Sequence, residues 1–398
     1  MFESVQTAPP DAILGLNEAF QIDPNPDRIN LTTGVYRDNS GRTPVLDCVK
    51  EAERRILDQE SSKSYLPIDG EAEYCRLIAE LNFGAGHEAL ESGRAVTVQT
   101  PGGTGALRVA GDFLKTTGST GSIWCSTPTW PNHPKVFQAS GLKVKNYTYF
   151  DAAQHRVDLA GMLESIRSIP SGDVICLHAC CHNPSGADPS AVDWKQIVDA
   201  VYGQQLIPLL DFAYLGFGSS LAEDAVALRE FARPGAELMI ASSCSKNFGL
   251  YRERTGSLTV VTADAAASGA VCSQLKATVR CNYSNPPSHG GAVVRTILAD
   301  QALRSQWETE LAGMRDRING MRSLFAQKME ERLPDVDFSF IEKQNGMFSF
   351  SGLAPEQVDR LREEHAVYAV RSGRINVAGI TPGNADALCD AITAVLQS

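Results

Sequence analysis

The chain has 398 residues, 43% of them hydrophobic and 21% charged, with a formal net charge of -11. This length can hold two or three domains with large cores, and the balance is that of a globular rather than a disordered protein. So acidic a chain argues against non-specific nucleic-acid binding, which depends on a basic surface, and an anionic ligand would need a local positive pocket.

The opening residues Met1-Phe-Glu-Ser-Val-Gln show neither a secretory signal nor an Arg-rich transit segment, and no apolar run reaches the length of a membrane span. Cytoplasmic residence without a membrane partner is therefore expected. A Pro/Asn/Asp-rich stretch at 23–28 leads into an isolated apolar run at 29–31, which is expected to join a domain built mostly from the end of the chain. Further on, Thr100-Pro-Gly102-Gly103-Thr104-Gly105 precedes an apolar helical pattern. Glycines there let backbone N–H groups approach an anion at a helix N-terminus, although a plain turn before a helix reads the same way. The spacing is neither GxxxxGK[ST] nor GxGxxG, so ATP and NAD are not supported.

From about residue 100 to 261 short apolar runs alternate with amphipathic segments. Strands are expected at 122–125, 143–150, 173–178, 206–210, 238–242 and 256–261, with helices at 187–202 and 223–231. Apolar runs joined by helical crossovers predict a mostly parallel sheet covered on both faces, with ligands beyond the carboxyl ends of its strands. Cys180-Cys181-His182 falls inside this region. Adjacent cysteines do not both turn easily toward one ion and no second ligand pair stands at zinc-site spacing, so no metal is expected. The ten scattered cysteines suit reduced thiols better than a disulfide framework.

Two polar residues end apolar runs in this region. Asp211 closes Leu206-Ile-Pro-Leu-Leu, where a buried carboxylate needs a cation or several donors; a helix cap or a structural ion pair would also account for it. Lys246 follows Ala241-Ser-Ser-Cys-Ser. Read alone, it is a solvated surface lysine, a lysine paired with an acid, or a neutral amine able to form an imine. On neighbouring strands of one sheet, both side chains would emerge at the same carboxyl edge. The last third changes character: long helical patterns over 301–333, strands at 337–350 and 367–377 with a helix between them, and a closing helix at 385–396 predict a smaller α+β domain.

Taken in order, the motifs Ile29-Asn-Leu-Thr-Thr-Gly34-Val-Tyr, Tyr65-Leu-Pro-Ile-Asp-Gly70, Gln99 to Arg108, Cys180-Cys-His-Asn183-Pro-Ser-Gly186, Asp211-Phe-Ala-Tyr214, Ser243-Cys-Ser-Lys246-Asn-Phe-Gly, Arg280-Cys-Asn-Tyr-Ser-Asn-Pro-Pro287 and Ser372-Gly-Arg374-Ile-Asn carry a resemblance. From Pro9 nearly to its last residue the chain resembles the class I aminotransferases that use pyridoxal 5'-phosphate, within them the aspartate and aromatic amino-acid subgroup and most of all its aspartate branch. The resemblance implies an α/β fold of fold type I: an N-terminal arm (1–9), a small-domain segment (10–42), a large cofactor-binding domain (43–312) and a small C-terminal domain (313–398).

It also implies roles. Lys246 would hold the cofactor covalently and then serve as the mobile base; Asp211 would keep the pyridine nitrogen protonated, with His133 holding Asp211 from behind. Asn183 and Tyr214 would donate to the phenolic oxygen, and Trp130 would stack on the ring. Gly103, Thr104, Ser243 and Arg254 would hold the phosphate, joined by Tyr65 from the other subunit of a homodimer. Arg374, helped by Asn183 and the Gly34 backbone, would clamp the substrate's α-carboxylate, and Arg280 of the other subunit would take a distal carboxylate.

The activity implied is ping-pong transfer of the amino group from L-aspartate to 2-oxoglutarate, giving oxaloacetate and L-glutamate. Aromatic amino-acid transamination is the alternative, since Pro67 is shared with aromatic enzymes while Pro101-Gly-Gly-Thr and Tyr283-Ser-Asn-Pro-Pro favour the aspartate branch. Ser185 and Leu215 depart from the family pattern. A decarboxylase or lyase is disfavoured because Arg374 would hold the carboxylate in place, and a non-enzymatic regulator because Lys246, Asp211 and Arg374 are all present.

Overall fold

The computed structural model describes residues 2–7, 13–118 and 121–397. Of the segments expected above, residues 1, 8 and 9 of the arm, 10–12 of the first small-domain segment, 119 and 120 of the large domain and 398 lie outside these, so Pro9, where the resemblance begins, does too.

The central sheet has seven strands: β1 (Ala95–Pro101), β2 (Ser122–Thr127), β3 (Lys143–Thr148), β4 (Val174–His178), β5 (Ile207–Phe212), β6 (Leu238–Ser243) and β7 (Thr255–Val261). Their order is β1-β7-β6-β5-β4-β2-β3, parallel except for β7, which runs against both its neighbours. Every residue of β4, β6 and β7 is buried, as expected of strands covered on both faces. Alternate residues divide between two apolar clusters: Ile175, Leu177, Leu210 and Ile240 enter one, Val174, Cys176, Leu209 and Met239 the other. This period of two is the pleat of the strand expressed as two cores. β1 was not among the expected strands; its mixed burial and polar Thr97, Gln99 and Thr100 hide the apolar signal.

Helix α1 (Gly102–Thr116) starts directly at the end of β1, and α2 (Asn132–Ala139) follows β2. Helix α3 (Ala191–Gly203) begins four residues later than the sequence pattern starts, at a capping box in which Ser190 and Asp193 exchange side-chain and backbone bonds. The pattern at 223–231 resolves into two short helices, Leu221–Asp224 and Val226–Phe231.

In the last third, α4 (Gln301–Arg332) packs against the closing helix α5 (Ala385–Gln397), joined by ion pairs from Lys328 and Arg332 to Asp386 and Asp390. The strand expected over 337–350 is instead a 3-10 turn (Ser339–Lys343) followed by a short strand, Phe348–Phe350. Gly346 at φ 74 breaks the extended chain, and buried Arg322 takes the carbonyls of Ile341, Gly346 and Phe348. The 367–377 pattern likewise splits, at Gly373, into Val367–Tyr368 and Arg374–Asn376. Ile29–Asn30 pairs in parallel with Val367–Tyr368, so the isolated early run does join the late part of the chain.

Candidate active site

Sheet register places the two polar strand ends side by side. Asp211 on β5 lies opposite Ala241 on β6 and His178 on β4, and β6 runs out at Ser243, three residues before Lys246. The turn that follows is fixed from α4: Trp307 Nε1 donates to the Asn247 carbonyl at 2.7 Å, and its ring stacks on Phe248 at 4.4 Å. Lys246 Nζ sits 4.6 Å from the centre of the Tyr214 ring. Burial pulls the amine down to about 8, against the opposing pull of the Asp211 charge. A solvated lysine would not show this shift, and the amine is thereby brought within reach of its neutral form near physiological pH.

Burial alone would raise the Asp211 carboxyl, but His133, with His178 and Lys246, holds it below the ordinary value. His133 Nε2 meets Asp211 Oδ2 at 3.1 Å, and His133 Nδ1 meets the Thr129 hydroxyl at 2.8 Å. The buried His133 ring stands edge-on to Trp130, which forms the wall in front of it.

A cavity of about 400 Å3 opens over these groups. Its lining includes Gly103, Thr104, Ser243 and Arg254, then Trp130, Asp211, Tyr214 and Lys246, and also Gly34, Asn183 and Arg374. The first group is a cradle fitted to bare backbone. A Cβ on Gly102, whose φ is 72, would meet Arg254 Nη2 at 2.6 Å, and one on Gly103 would meet the Ser243 Cβ at 3.1 Å. With no side chains in the way, the N-terminal N–H groups of α1, the Ser243 hydroxyl and the Arg254 guanidinium share one corner, the donor set of an anion site.

Arg374 is buried, its guanidinium drawn down to about 10 by burial. Nη2 donates to the Thr32 carbonyl at 2.5 Å and Nη1 to Asn183 Oδ1 at 3.4 Å, while the guanidinium lies 4.2 Å above the Phe348 ring. Each Nη carries a second N–H that these bonds do not use, so two donors are left for a ligand in the cavity that Arg374 lines, while Nε is buried without a partner.

Two of the expected residues stand apart. Tyr65 is 92% exposed, and Arg280 is exposed at the end of its helix with its guanidinium on the Ser284 hydroxyl. Neither lines the cavity of its own chain. The sequence reading passed over Phe348, the platform for Arg374, and Tyr251, which lines the cavity and whose hydroxyl accepts from the Tyr36 N–H at 2.8 Å. Phe348 lies in an apolar run that reads as core, whereas Tyr251, five residues beyond the lysine and polar at its tip, could have been found.

His182 faces hydroxyls, Ser126 on Nε2 and Ser185 on Nδ1. Ser185 thereby has a hydrogen-bonding role, and Leu215 is a core residue. The Cys180 and Cys181 thiols come within 4.8 Å of Asp224, a neighbour that sequence spacing does not reveal. That carboxylate already accepts from the N–H groups of Gly216, Gly218 and Ser219. All ten cysteines are free thiols, and all but Cys272 and Cys281 are buried.

Comparison with known proteins decides what this arrangement belongs to. Residues 26–392 match the family model described as aminotransferase class I and II. The chain belongs to the class I and II aminotransferases. It is 53% identical over 396 residues to the aspartate aminotransferase of Escherichia coli K12, covering 100% of both chains. It is 47% identical over 394 residues to the aromatic-amino-acid aminotransferase of Pseudomonas aeruginosa, covering 99% of this chain and 98% of that one. Among solved aminotransferases, the aromatic-amino-acid enzyme of Burkholderia pseudomallei, covalently bound to pyridoxal phosphate, superposes with a TM-score of 0.97 at 45% identity over 100% of this chain and 99% of that one. These relatives share the expected fold type I architecture.

Proposed function

We propose that this aminotransferase carries the amino group of L-aspartate to 2-oxoglutarate in two half-reactions, releasing oxaloacetate and then L-glutamate. The observation that carries the reading is the presence on one cavity of an anion cradle, a lysine amine held down to about 8, a buried carboxylate below its ordinary range and a buried arginine with N–H donors to spare. Full-length relatives 46–53% identical that are named aspartate aminotransferase support the choice of substrate.

The enzyme's cofactor is pyridoxal 5'-phosphate, and the residues fit it. The cradle at Gly103, Thr104, Ser243 and Arg254 matches a phosphate, Asp211 a protonated ring nitrogen, and Lys246 an aldehyde. When bound, the cofactor supplies a covalent handle for an amine and an electron-accepting ring.

Each protein group then has a task. Lys246, released as a neutral amine, would take the proton from the substrate α-carbon and deliver it to the cofactor's C4′ carbon within the same half-reaction, and would carry a proton the opposite way in the second. Asp211, kept ionised by His133, holds positive charge at the ring nitrogen. Asn183 and Tyr214 would donate to the phenolic oxygen, and Trp130 would cover the ring. Arg374 aligns the α-carboxylate through a planar fork that no lysine can reproduce.

The exposed positions of Tyr65 and Arg280 support a homodimer in which each serves the neighbouring site, Tyr65 at the phosphate and Arg280 at the distal carboxylate. We further propose that residues 43–312 form the cofactor domain, that 10–42 and 313–398 close over it and exclude water, that 1–9 form an arm on the partner, and that the enzyme is cytoplasmic; no described helix is long and apolar enough to cross a membrane.

Aromatic amino acids are the second reading, favoured by Pro67 and by relatives of that name at similar identity. Measuring kcat/KM for aspartate, tyrosine and phenylalanine with 2-oxoglutarate separates the two. A higher value for either aromatic substrate would overturn the assignment to aspartate.

A further inference from the structure

Arg322, on α4, is 1% exposed, and its hydrogen-bond acceptors are all neutral. Nη1 donates to the Ile341 carbonyl at 3.1 Å and to the Ser349 hydroxyl; Nη2 donates to the carbonyls of Gly346 at 2.7 Å and Phe348 at 3.0 Å. Taking a guanidinium out of water is costly, and a methionine would fill the same space without that cost. What the cation provides is geometry: four acceptors from one turn, 341–349, are gathered on a rigid planar fork.

That turn delivers Phe348 to the active site. Its ring underlies Arg374 at 4.2 Å, stands edge-on to Tyr214 at 6.1 Å, and leaves no room at Gly34, where a Cβ would meet Phe348 Cζ at 2.5 Å. In the strand pair, Phe350 faces Arg374 and Phe348 faces Asn376. The Asn376 amide in turn holds the carbonyls of Thr33 and Val35, on either side of Gly34. The same turn is tied to the Asn183 loop, because Asn345 N donates to the Gly186 carbonyl at 2.6 Å and a Cβ on Gly186 would meet the Phe348 carbonyl at 2.4 Å.

We propose that Arg322 is a positioning residue for recognition of the substrate's α-carboxylate, setting the orientation of Arg374 through Phe348. This rests on the reading that Arg374 binds that carboxylate. Because the carboxylate is held alike in the ground and transition states, the effect falls on KM rather than kcat.

The test compares holoenzyme carrying Arg322→Met, Arg322→Lys, Phe348→Leu, Ser349→Ala, Arg374→Met or the double change Arg322→Met/Phe348→Leu. For each, KM and kcat for aspartate are measured, with the calorimetric Kd of succinate, a dicarboxylate having no group to transfer, and the melting temperature. Arg322→Met is expected to raise KM and the succinate Kd together by about fivefold or more with kcat within about threefold, and Arg322→Lys to recover part of the loss. The double variant should be no worse than its worse single parent, since both act through one ring.

Ser349→Ala removes one acceptor of the fork and raises KM and the succinate Kd in the same direction by a smaller factor, about twofold, which keeps the test open should Arg322→Met fail to fold. A fall in melting temperature with KM and Kd unchanged, a loss confined to kcat, or additive effects in the double variant would each overturn the proposal. An unchanged succinate Kd in Arg374→Met would instead overturn the carboxylate assignment beneath it.

Discussion

Replacing Arg374 tests the substrate end of the cavity quantitatively. In the structure Nη2 spends one N–H on Thr32 and Nη1 one on Asn183, so the second N–H of each, two donors in all, can turn to a carboxylate. Hydrogen bonds to charged groups contribute about 1.5–3 kcal/mol each, so Arg374→Met should lose about 3–6 kcal/mol of transition-state binding, roughly 10^2- to 10^4-fold in kcat/KM. Arg374→Lys keeps a charge but loses the fork and the planar stack on Phe348, and should fall between the variant and the parent, about 10- to 100-fold down. Steady-state kinetics with aspartate and with phenylalanine is the assay. Both substrates carry an α-carboxylate, so the two losses should agree within a few-fold. A loss confined to aspartate would refute the reasoning, because it would place Arg374 at the distal carboxylate.

Further outcomes follow from the same geometry. Arg280→Ala should harm aspartate far more than phenylalanine in steady-state kinetics; equal losses would remove Arg280 from the distal carboxylate. In cofactor-free enzyme, the Lys246 ammonium is disfavoured by the fold, with its pKa lowered from 10.5 to about 8. The unfolded chain therefore binds more protons between those values, and the penalty, full below about pH 8, is relieved as pH rises toward 10.5. Lys246→Met should accordingly raise the melting temperature of the cofactor-free protein more at pH 7 than at pH 10, and a pH-independent difference would argue against a strained lysine. Gly102→Ala places a methyl group against Arg254 at a left-handed backbone position, and should weaken cofactor retention on dialysis, with the sheet intact by circular dichroism.

The central parallel strands β4, β5 and β6 were legible because each carries an unbroken apolar run, and Asp211 and Lys246 stood out because each ends such a run. Their adjacency needed only the order of neighbouring strands. The partners of Arg374 were another matter: Thr32 offers a backbone carbonyl, which has no signature in a sequence, and Phe348 is one aromatic in a stretch that reads as strand. That stretch folds as a turn because Arg322, far off in the chain and unremarked in a helical pattern, claims its carbonyls. β1 went unseen because polar residues occupy a strand beside the active site, where function outweighs the apolar pattern. Tyr65 and Arg280 show the converse: motif resemblance singled them out, whereas one chain's geometry leaves them in solvent.

The central claim is that Lys246, Asp211 and Arg374 form one transamination site with a preference for a dicarboxylic amino acid. Its most direct test follows the absorbance of the bound cofactor in purified enzyme as aspartate is added without an oxo-acid acceptor, then 2-oxoglutarate, with phenylalanine run in parallel. Complete conversion by aspartate with one oxaloacetate released per site, full reversal by 2-oxoglutarate and slower conversion by phenylalanine are predicted. No spectral change with aspartate, or release of carbon dioxide or ammonia without exchange of the oxo acid, would contradict it.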